Sequence, residues 1–412
     1  WGGIYVHDGG SVNLEHAKAR YAQTPVFGAT SGTVRVVDSQ FSGFNYGGIT
    51  TAPSSVVITG SSFDGGQVGV MVDSPSVTLQ NNDASITGSL GAFSGVAYSV
   101  SSPTLDFGQI GGNTASGETA LLQVAGNAVS STYSGGLPLL INCSYTGGSV
   151  FFGSAGGELA VPSGSELTLA AGTTVKATEK CQLDAFGRLH NLSVEGTLVA
   201  DGSAVEPVTF TSVNDSSIGG TTGSGNPSPG DWGGIYVHDG GSIDVEHAQF
   251  GFASTALGLD GGTHRLQGVE IEDSLLGLSA TGDAQVSLRG SIHNVEMGVR
   301  ACNWDTECSV DATHVDWGGN DGPYPQGEDA LICGAVVASP WMSTGGLAGG
   351  SVFASPNCDG SSAPEELVSD SAQYFGERMS LRGIDCGNGI EDACEAIEIA
   401  QRCLGAARTL AN

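Results

Sequence analysis

The sequence predicts an all-β chain, a right-handed parallel β-helix (solenoid) in two tandem units with a small helical, disulfide-pinned C-terminal region. Three observations predict it. The opening stretch WGGIYVHDGGSVNLEHA at Trp1 returns almost letter for letter as WGGIYVHDGGSIDVEHA from Trp232, so a whole structural unit is duplicated. Short runs of alternating apolar residues recur in each copy at a step of about 21 to 23 residues, the length of one coil made of three short strands and three turns. Glycine is the commonest residue, 66 of 412, and it is accompanied by Ser, Thr and Val with very little Lys. That mix suits short strands joined by tight turns and not amphipathic helices.

The columns of the coil can be read directly. Val12, Val34, Val56 and Val77 recur at the step in the first copy, with Phe41 and Phe63 one step apart. In the second copy Phe250, Ile271, Ile292 and Val315 do the same. Each step carries a strand of period two and then a small-residue corner such as GGI, VGV, LGL or MGV. Stacked in register, such residues form inward columns at the spacing of neighbouring strands. The hand follows because crossovers between parallel strands are nearly always right-handed. A propeller or a string of sandwiches would need periods of about 40 to 50 or about 100 residues, and neither is evident.

Segmentation follows from the repeats. Residues 1–140 form a truncated first β-helix unit and 141–342 the second, with the seam near GGLPLLINCSYTGGSVFFGS at 136–154. Residues 343–412 form a partly helical cap or linker, since Ile390, Ile397, Ala400 and Leu404 follow helical spacing, with acidic residues early and Arg402 and Arg408 late. Such a cap would blunt the open strand edge. The stretch NDSSIGGTTGSGNPSPGD at 214–231 is polar and rich in Gly, Ser and Pro, and reads as a long loop off one corner. What precedes Trp232 has no counterpart before Trp1, so the chain is expected to be part of a longer chain or assembly.

The succession SGSELTLAAGTTVKA, LSVEGTLVADGSAVEPVTFTS, GDWGGIYVHDGGSIDVEHA and VDWGGNDGPYPQGEDALICGAVVASPW resembles the right-handed parallel β-helix repeat proteins of bacterial surfaces, which share a pectate-lyase-like architecture. The match covers roughly residues 160 to 342, and residues 1 to 110 by internal repetition. The resemblance implies the fold firmly and the activity weakly, because that superfamily hosts adhesins, structural stalks and carbohydrate enzymes.

Charge and cysteines narrow the class. The formal charge is −30, from 43 acidic and 13 basic side chains, so phosphate backbones would be repelled and nucleic acid is excluded as a partner. No run of about 20 apolar residues is present, so no membrane insertion is expected in this fragment. Seven of the nine cysteines, Cys302, Cys308, Cys333, Cys358, Cys386, Cys394 and Cys403, lie late in the chain without zinc or thioredoxin spacing, and they are the disulfide candidates. Cys143 with Cys181 is a further candidate pair. Disulfides fit an oxidising exterior, so the expected location is secreted or cell surface.

Candidate chemistry is sparse. His7, Asp8, Glu15 and His16 recur as His238, Asp239, Glu246 and His247, a donor set that could bind metal or move protons. Alternation in SIDVEHA puts Ile243, Val245 and His247 on one face and Asp244 and Glu246 on the other, so a stacked core or corner histidine is the expected reading. A lyase needs carboxylates converging on calcium beside an Arg or Lys, but only Arg20, Arg35, Arg265, Arg289 and Arg300 lie within the coils, none in an Asp-rich strand. Glu270, Glu272 and Asp273 read as outward or corner residues. No catalytic residue is therefore assigned. Trp1, Trp232, Tyr46 and Tyr324 are the ligand-binding candidates, as aromatic faces that could stack on sugars. Asp316, Asn320 and Asp321 in WGGNDGPYP are the metal candidates, with calcium the one ion their oxygens would suit and no other cofactor expected.

The reading that results is a secreted or cell-surface stalk, adhesin or extracellular assembly component. Its partners would be carbohydrate or other surface proteins. A polysaccharide lyase or glycoside hydrolase of the same superfamily, and a non-catalytic carbohydrate-binding module, are the alternatives.

Overall fold

The computed structural model describes residues 1–348 apart from 29–30, 91–92, 95, 117–119, 144–156, 179–181, 184–188, 224, 302–307, 319–321, 324–331, 335 and 344–345. The expected helices beyond residue 348 lie outside the described residues. The chain divides into two compact units, Trp1–Pro227 and Ser228–Asn412. The described part of each is a right-handed parallel β-helix.

In the first unit each coil lays one strand on each of three faces. Ile4–Val6, Ser11–Glu15 and Lys18–Arg20 make the first coil, and Val26–Gly28, Thr33–Val37 and Gln40–Phe44 the second. Gly47–Thr51, Ser55–Thr59 and Ser62–Gly65 make the third, followed by Val68–Asp73, Val77–Gln80 and Asp83–Ser85. Successive strands on a face pair in parallel and in register. On the second face Val12 lies opposite Val34, Val34 opposite Val56, and Val56 opposite Val77, which is the ladder expected from the sequence step. Two residues along, Val36, Ile58 and Leu79 are completely buried, each contributing about 1.5–3 kcal/mol by leaving water.

The third face shows how the column is filled. Ala19, Phe41, Phe63 and Ala84 are successive register partners, and the two phenylalanine rings stack 5.2 Å apart at an interplanar angle of 4°. The bulky pair occupies room that the alanines on either side leave open. Volume is conserved along the column and not at each rung.

The second unit uses longer strands that run over two faces. Ser242–Gly251, Thr263–Glu272 and Gln285–His293 pair in parallel, alternating with Thr255–Asp260, Leu276–Thr281 and Met297–Ala301 on the remaining face. Phe250, Ile271 and Ile292 form one inward column as expected. Val315 is buried but out of that register, because Ser291 pairs with Asp316. In the first of these strands the bend sits at His247, whose φ of 51° reverses the alternation, so that Val245 and Ala248 are both buried.

The corners carry the register. In the first unit His16, Asp38, Gly60 and Asn81 occupy equivalent turns with φ of 51°, 48°, 61° and 56°, a conformation that costs most residues free energy and glycine little. A Cβ on Gly60 would meet Asp38 Oδ1 at 2.4 Å, so the corner side chain of one coil rests on the bare backbone of the next. After Asp38, Gly60 and Asn81 the next residue, Ser39, Ser61 or Asn82, is polar and points inward. Ser39 Oγ accepts the N–H of Ala17, Ser61 Oγ that of Ser39, Asn82 Oδ1 that of Ser61, and Asn113 Oδ1 that of Asn82, all at 3.0–3.1 Å. Asn82 also donates through Nδ2 to Ile58 O, and Asn113 through Nδ2 to Leu79 O. In the second unit Ser274 does the same for Ala253 beside the positive-φ corners Phe252 and Asp273. Turn amides that face the interior are thus paired coil to coil, which burial requires.

Replacing Asn82 with Ala leaves the Ser61 N–H buried and unpaired and removes the Asn82 bonds to Ile58 O and Asn113 Oδ1. We expect a loss of about 2–4 kcal/mol in urea-melt stability, against less than about 0.5 kcal/mol for Ser76→Ala on an exposed turn.

Candidate functional site

An aromatic cleft stands at the turns that lead into the first-face strands of the first unit. Its volume is ≈ 520 Å³ and it is lined by Trp1, Gly2, Tyr21, Gln23, Asn45 and Tyr46. Coil stacking positions these residues. The Gln23 N–H donates to Trp1 O and the Tyr46 N–H to Gln23 O, so Trp1, Gln23 and Tyr46 sit on three successive coils. The Trp1 indole donates to Arg20 O at 2.8 Å, and Tyr21 is held at the corner with a φ of 59° over Gly43. Trp1 is 60% exposed and Tyr21 77%, so both rings present faces to solvent. Two of the aromatic candidates, Trp1 and Tyr46, therefore meet in one cleft. Tyr21 was not singled out from the sequence, because nothing local distinguishes it before the coil register is known.

Trp232 has another environment. It is 1% exposed, and its indole donates to Gly251 O of its own coil at 2.8 Å, so this ring is packed away from solvent. The bond is the same as that of Trp1 in the first copy. Tyr324, Asn320 and Asp321 lie outside the described residues. Asp316 is an outward residue whose carboxylate accepts the Gly318 N–H at 3.0 Å, a turn bond within its own loop.

The repeated histidine and carboxylate cluster is taken apart by the corners. His7 packs edge-on against Tyr5, and His238 against Tyr236, with ring centroids 4.6 Å apart in both. His16 Nδ1 lies 4.0 Å from Asp38 on the next coil, while Glu15 lies 3.6 Å from Arg35. His247 stands over Gly268, where an added Cβ would meet its Nδ1 at 2.5 Å. His7, Glu15 and His16 thus point to different neighbours, and so do His238 and His247.

Four of the five arginines of the coils act as staples. Arg35 donates to Asn13, Arg265 to Asp244, Arg300 to Ser279 and Arg289 to Asp311, each one coil away. Burial alone would raise the Asp311 carboxyl, but the bonds from Arg289 and Thr313 outweigh it and hold the group below the usual range. On the second unit Glu270 and Glu272, at the end of Thr263–Glu272, lie beside His293 of the next strand, with their ligand atoms within 4.8 Å of one another.

Two buried titratable side chains are structural in origin. His264 is 1% exposed, donates through Nε2 to Gly261 O at 2.6 Å, and has no partner for Nδ1 among the described residues. Burial pushes its pKa down, against the Gly261 bond, so the ring is kept neutral. Lys176 is fully buried on the outer side of the first-face strand Thr174–Ala177. Its Nζ donates to Asp215 O at 2.6 Å, Gly220 O at 2.8 Å and Thr222 Oγ1 at 2.9 Å. The polar segment expected to project as a loop instead folds back in this part, with Gly219 against Pro138 and Lys176. The three acceptors are what make a buried ammonium tolerable. Burial lowers the Lys176 pKa to about 8, the nearby Asp215 charge opposing the shift.

No helix among the described residues is long and apolar enough to cross a membrane. No family model, no curated protein and no solved structure matches this chain.

Lys176→Met should release the covering segment, seen as new limited-proteolysis cuts near Gly219 and Gly220 in a chain that otherwise keeps its strand signal. The sign of the pH effect is also set. The folded pKa of about 8 lies below the ordinary lysine value of 10.5, so the unfolded chain binds the extra proton between these values. The Lys176 contribution to stability therefore rises with pH from about 8 towards 10.5, and that slope should vanish in the variant when urea melts are compared across the window.

Proposed function

We propose that this chain is a secreted or cell-surface β-helix protein that serves as a stalk, adhesin or extracellular assembly component, related in architecture to the pectate-lyase-like proteins. The observation that carries the reading is the coil-to-coil repetition of the same bonds. Corner amides, Arg staples and stacked Val, Ile and Phe columns recur from coil to coil, so each added coil lengthens the body by about 4.8 Å without requiring a new solution. Cys143 is disulfide-bonded, which supports an oxidising compartment. The acidic exterior keeps a long strand-rich surface soluble and sets adjacent copies apart by charge.

A second reading has one observation in its favour. The cleft of Trp1, Tyr21 and Tyr46 offers aromatic faces and the amides of Gln23 and Asn45, the combination that holds a sugar ring by stacking and hydrogen bonds. On this reading the chain binds carbohydrate without turning it over. A lyase or hydrolase has weaker support, since the four arginines just described are committed to coil-to-coil bonds.

The test is incubation of the purified chain with acidic and neutral polysaccharides, with and without calcium, scoring retained ligand, new reducing ends and unsaturated products. A structural or binding role predicts no cleavage of any member of the panel. Retention lost in Tyr46→Ala and Tyr21→Ala would assign binding to the cleft. Cleavage that a chelator or neutralisation of an outward carboxylate abolishes would overturn the proposal.

A further inference from the structure

We propose that Glu270, Glu272 and His293 form a divalent-metal site of the zinc type on the outer surface of the second unit. The three come from two adjacent strands, Thr263–Glu272 and Gln285–His293, whose register places Glu272 opposite His293 and Glu270 opposite Ser291. Period two in the strand puts Glu270 and Glu272 on the same side, and stacking brings the imidazole beside them. His293 Nε2 lies 3.7 Å from Glu270 Oε1, and the ligand atoms of all three residues lie within 4.8 Å of one another. Tetrahedral zinc with bonds of about 2.0 Å needs ligand atoms about 3.3 Å apart, so the set closes on an ion by rotation of side chains with no change in the coil.

Further features single out this cluster from the other acidic pairs of the chain. Glu270 is oriented from outside the set. Gln249, on the strand before, donates through Nε2 to Glu270 Oε2 at 2.9 Å, which leaves Oε1 turned towards His293. An outer hydrogen bond of this kind fixes a ligating carboxylate in place. The coil itself does not call for these donors. On the third face of the first unit, successive outward partners are Gln40, Ser62 and Asp83 in one column, and Ser42, Asp64 and Ser85 in the next, with no imidazole among them.

The chemistry favours zinc over calcium. Calcium takes six to eight oxygens, whereas one imidazole nitrogen with two carboxylate oxygens leaves a fourth, water-filled position on a tetrahedral ion. The ion would also relieve the repulsion between two carboxylates on a chain of formal charge −30.

The experiment is calorimetric titration of zinc chloride into the whole chain in physiological salt with excess calcium, with His293 followed by its imidazole NMR signal. The proposal predicts one saturable site that shifts the His293 resonance. His293→Ala, and Glu270→Gln with Glu272→Gln, should each remove the saturable heat while leaving the circular dichroism unchanged, since all three side chains are outward. Gln249→Ala should weaken binding by about 10-fold. Heat that calcium or salt abolishes, or zinc binding unchanged in His293→Ala, would overturn it.

Discussion

The coil depends on pairing its own turn amides. A strand on a face has neighbours on both sides, but a corner turns the chain inward and leaves an N–H with no strand partner. The first unit meets this need with one side chain per coil, Ser39, Ser61, Asn82 and Asn113, each taking the amide of the residue one coil earlier. An unpaired buried amide costs about 1–3 kcal/mol, so a slip by one residue would strand the whole ladder at once. Apolar columns alone fix register less sharply, because valine, isoleucine and leucine can exchange places within a column at small cost. The polar ladder thus selects the register, and the columns of Val, Ile and Phe supply the free energy.

The same geometry decides what becomes of the chemically capable residues. Corner histidines take left-handed turns and lie against neighbouring coils, four of the arginines bridge to the next coil, and Lys176 ties down a covering segment. Trp232 hydrogen-bonds into its own coil. Side chains that would suggest catalysis in another fold are used here to close turns and join coils. What remains for ligands is on the outside, where stacking brings residues about 21 to 23 positions apart into contact. The Trp1, Tyr21 and Tyr46 cleft and the Glu270, Glu272 and His293 group are both of this kind.

The coil was legible in the sequence because the step of the repeat sets which residues stack. Val12, Val34, Val56 and Val77 are register partners, and so are Phe41 with Phe63 and Phe250 with Ile271 and Ile292. Val315 falls outside the column that the step predicts, since Ser291 pairs with Asp316. The inward Ser and Asn residues escaped notice because polar side chains beside a corner look like ordinary turn chemistry until both ends of each bond are placed. For the same reason Trp1 and Tyr46 were separable candidates, but their meeting with Tyr21 was not visible. His293 and Glu272 are likewise joined only by register. The covering role of the segment after Ser212 was hidden too, because its polar composition says loop and does not say where the loop lies.

The most direct test of this account is amide hydrogen exchange, read residue by residue by NMR, at Ala17, Ser39, Ser61 and Asn82. If side-chain acceptors one coil away hold these turn amides, they should exchange as slowly as strand amides such as that of Ile58, opening only with global unfolding. Exchange at the rate of exposed turns, with the strands still protected, would contradict the claim that the corner ladder sets the register.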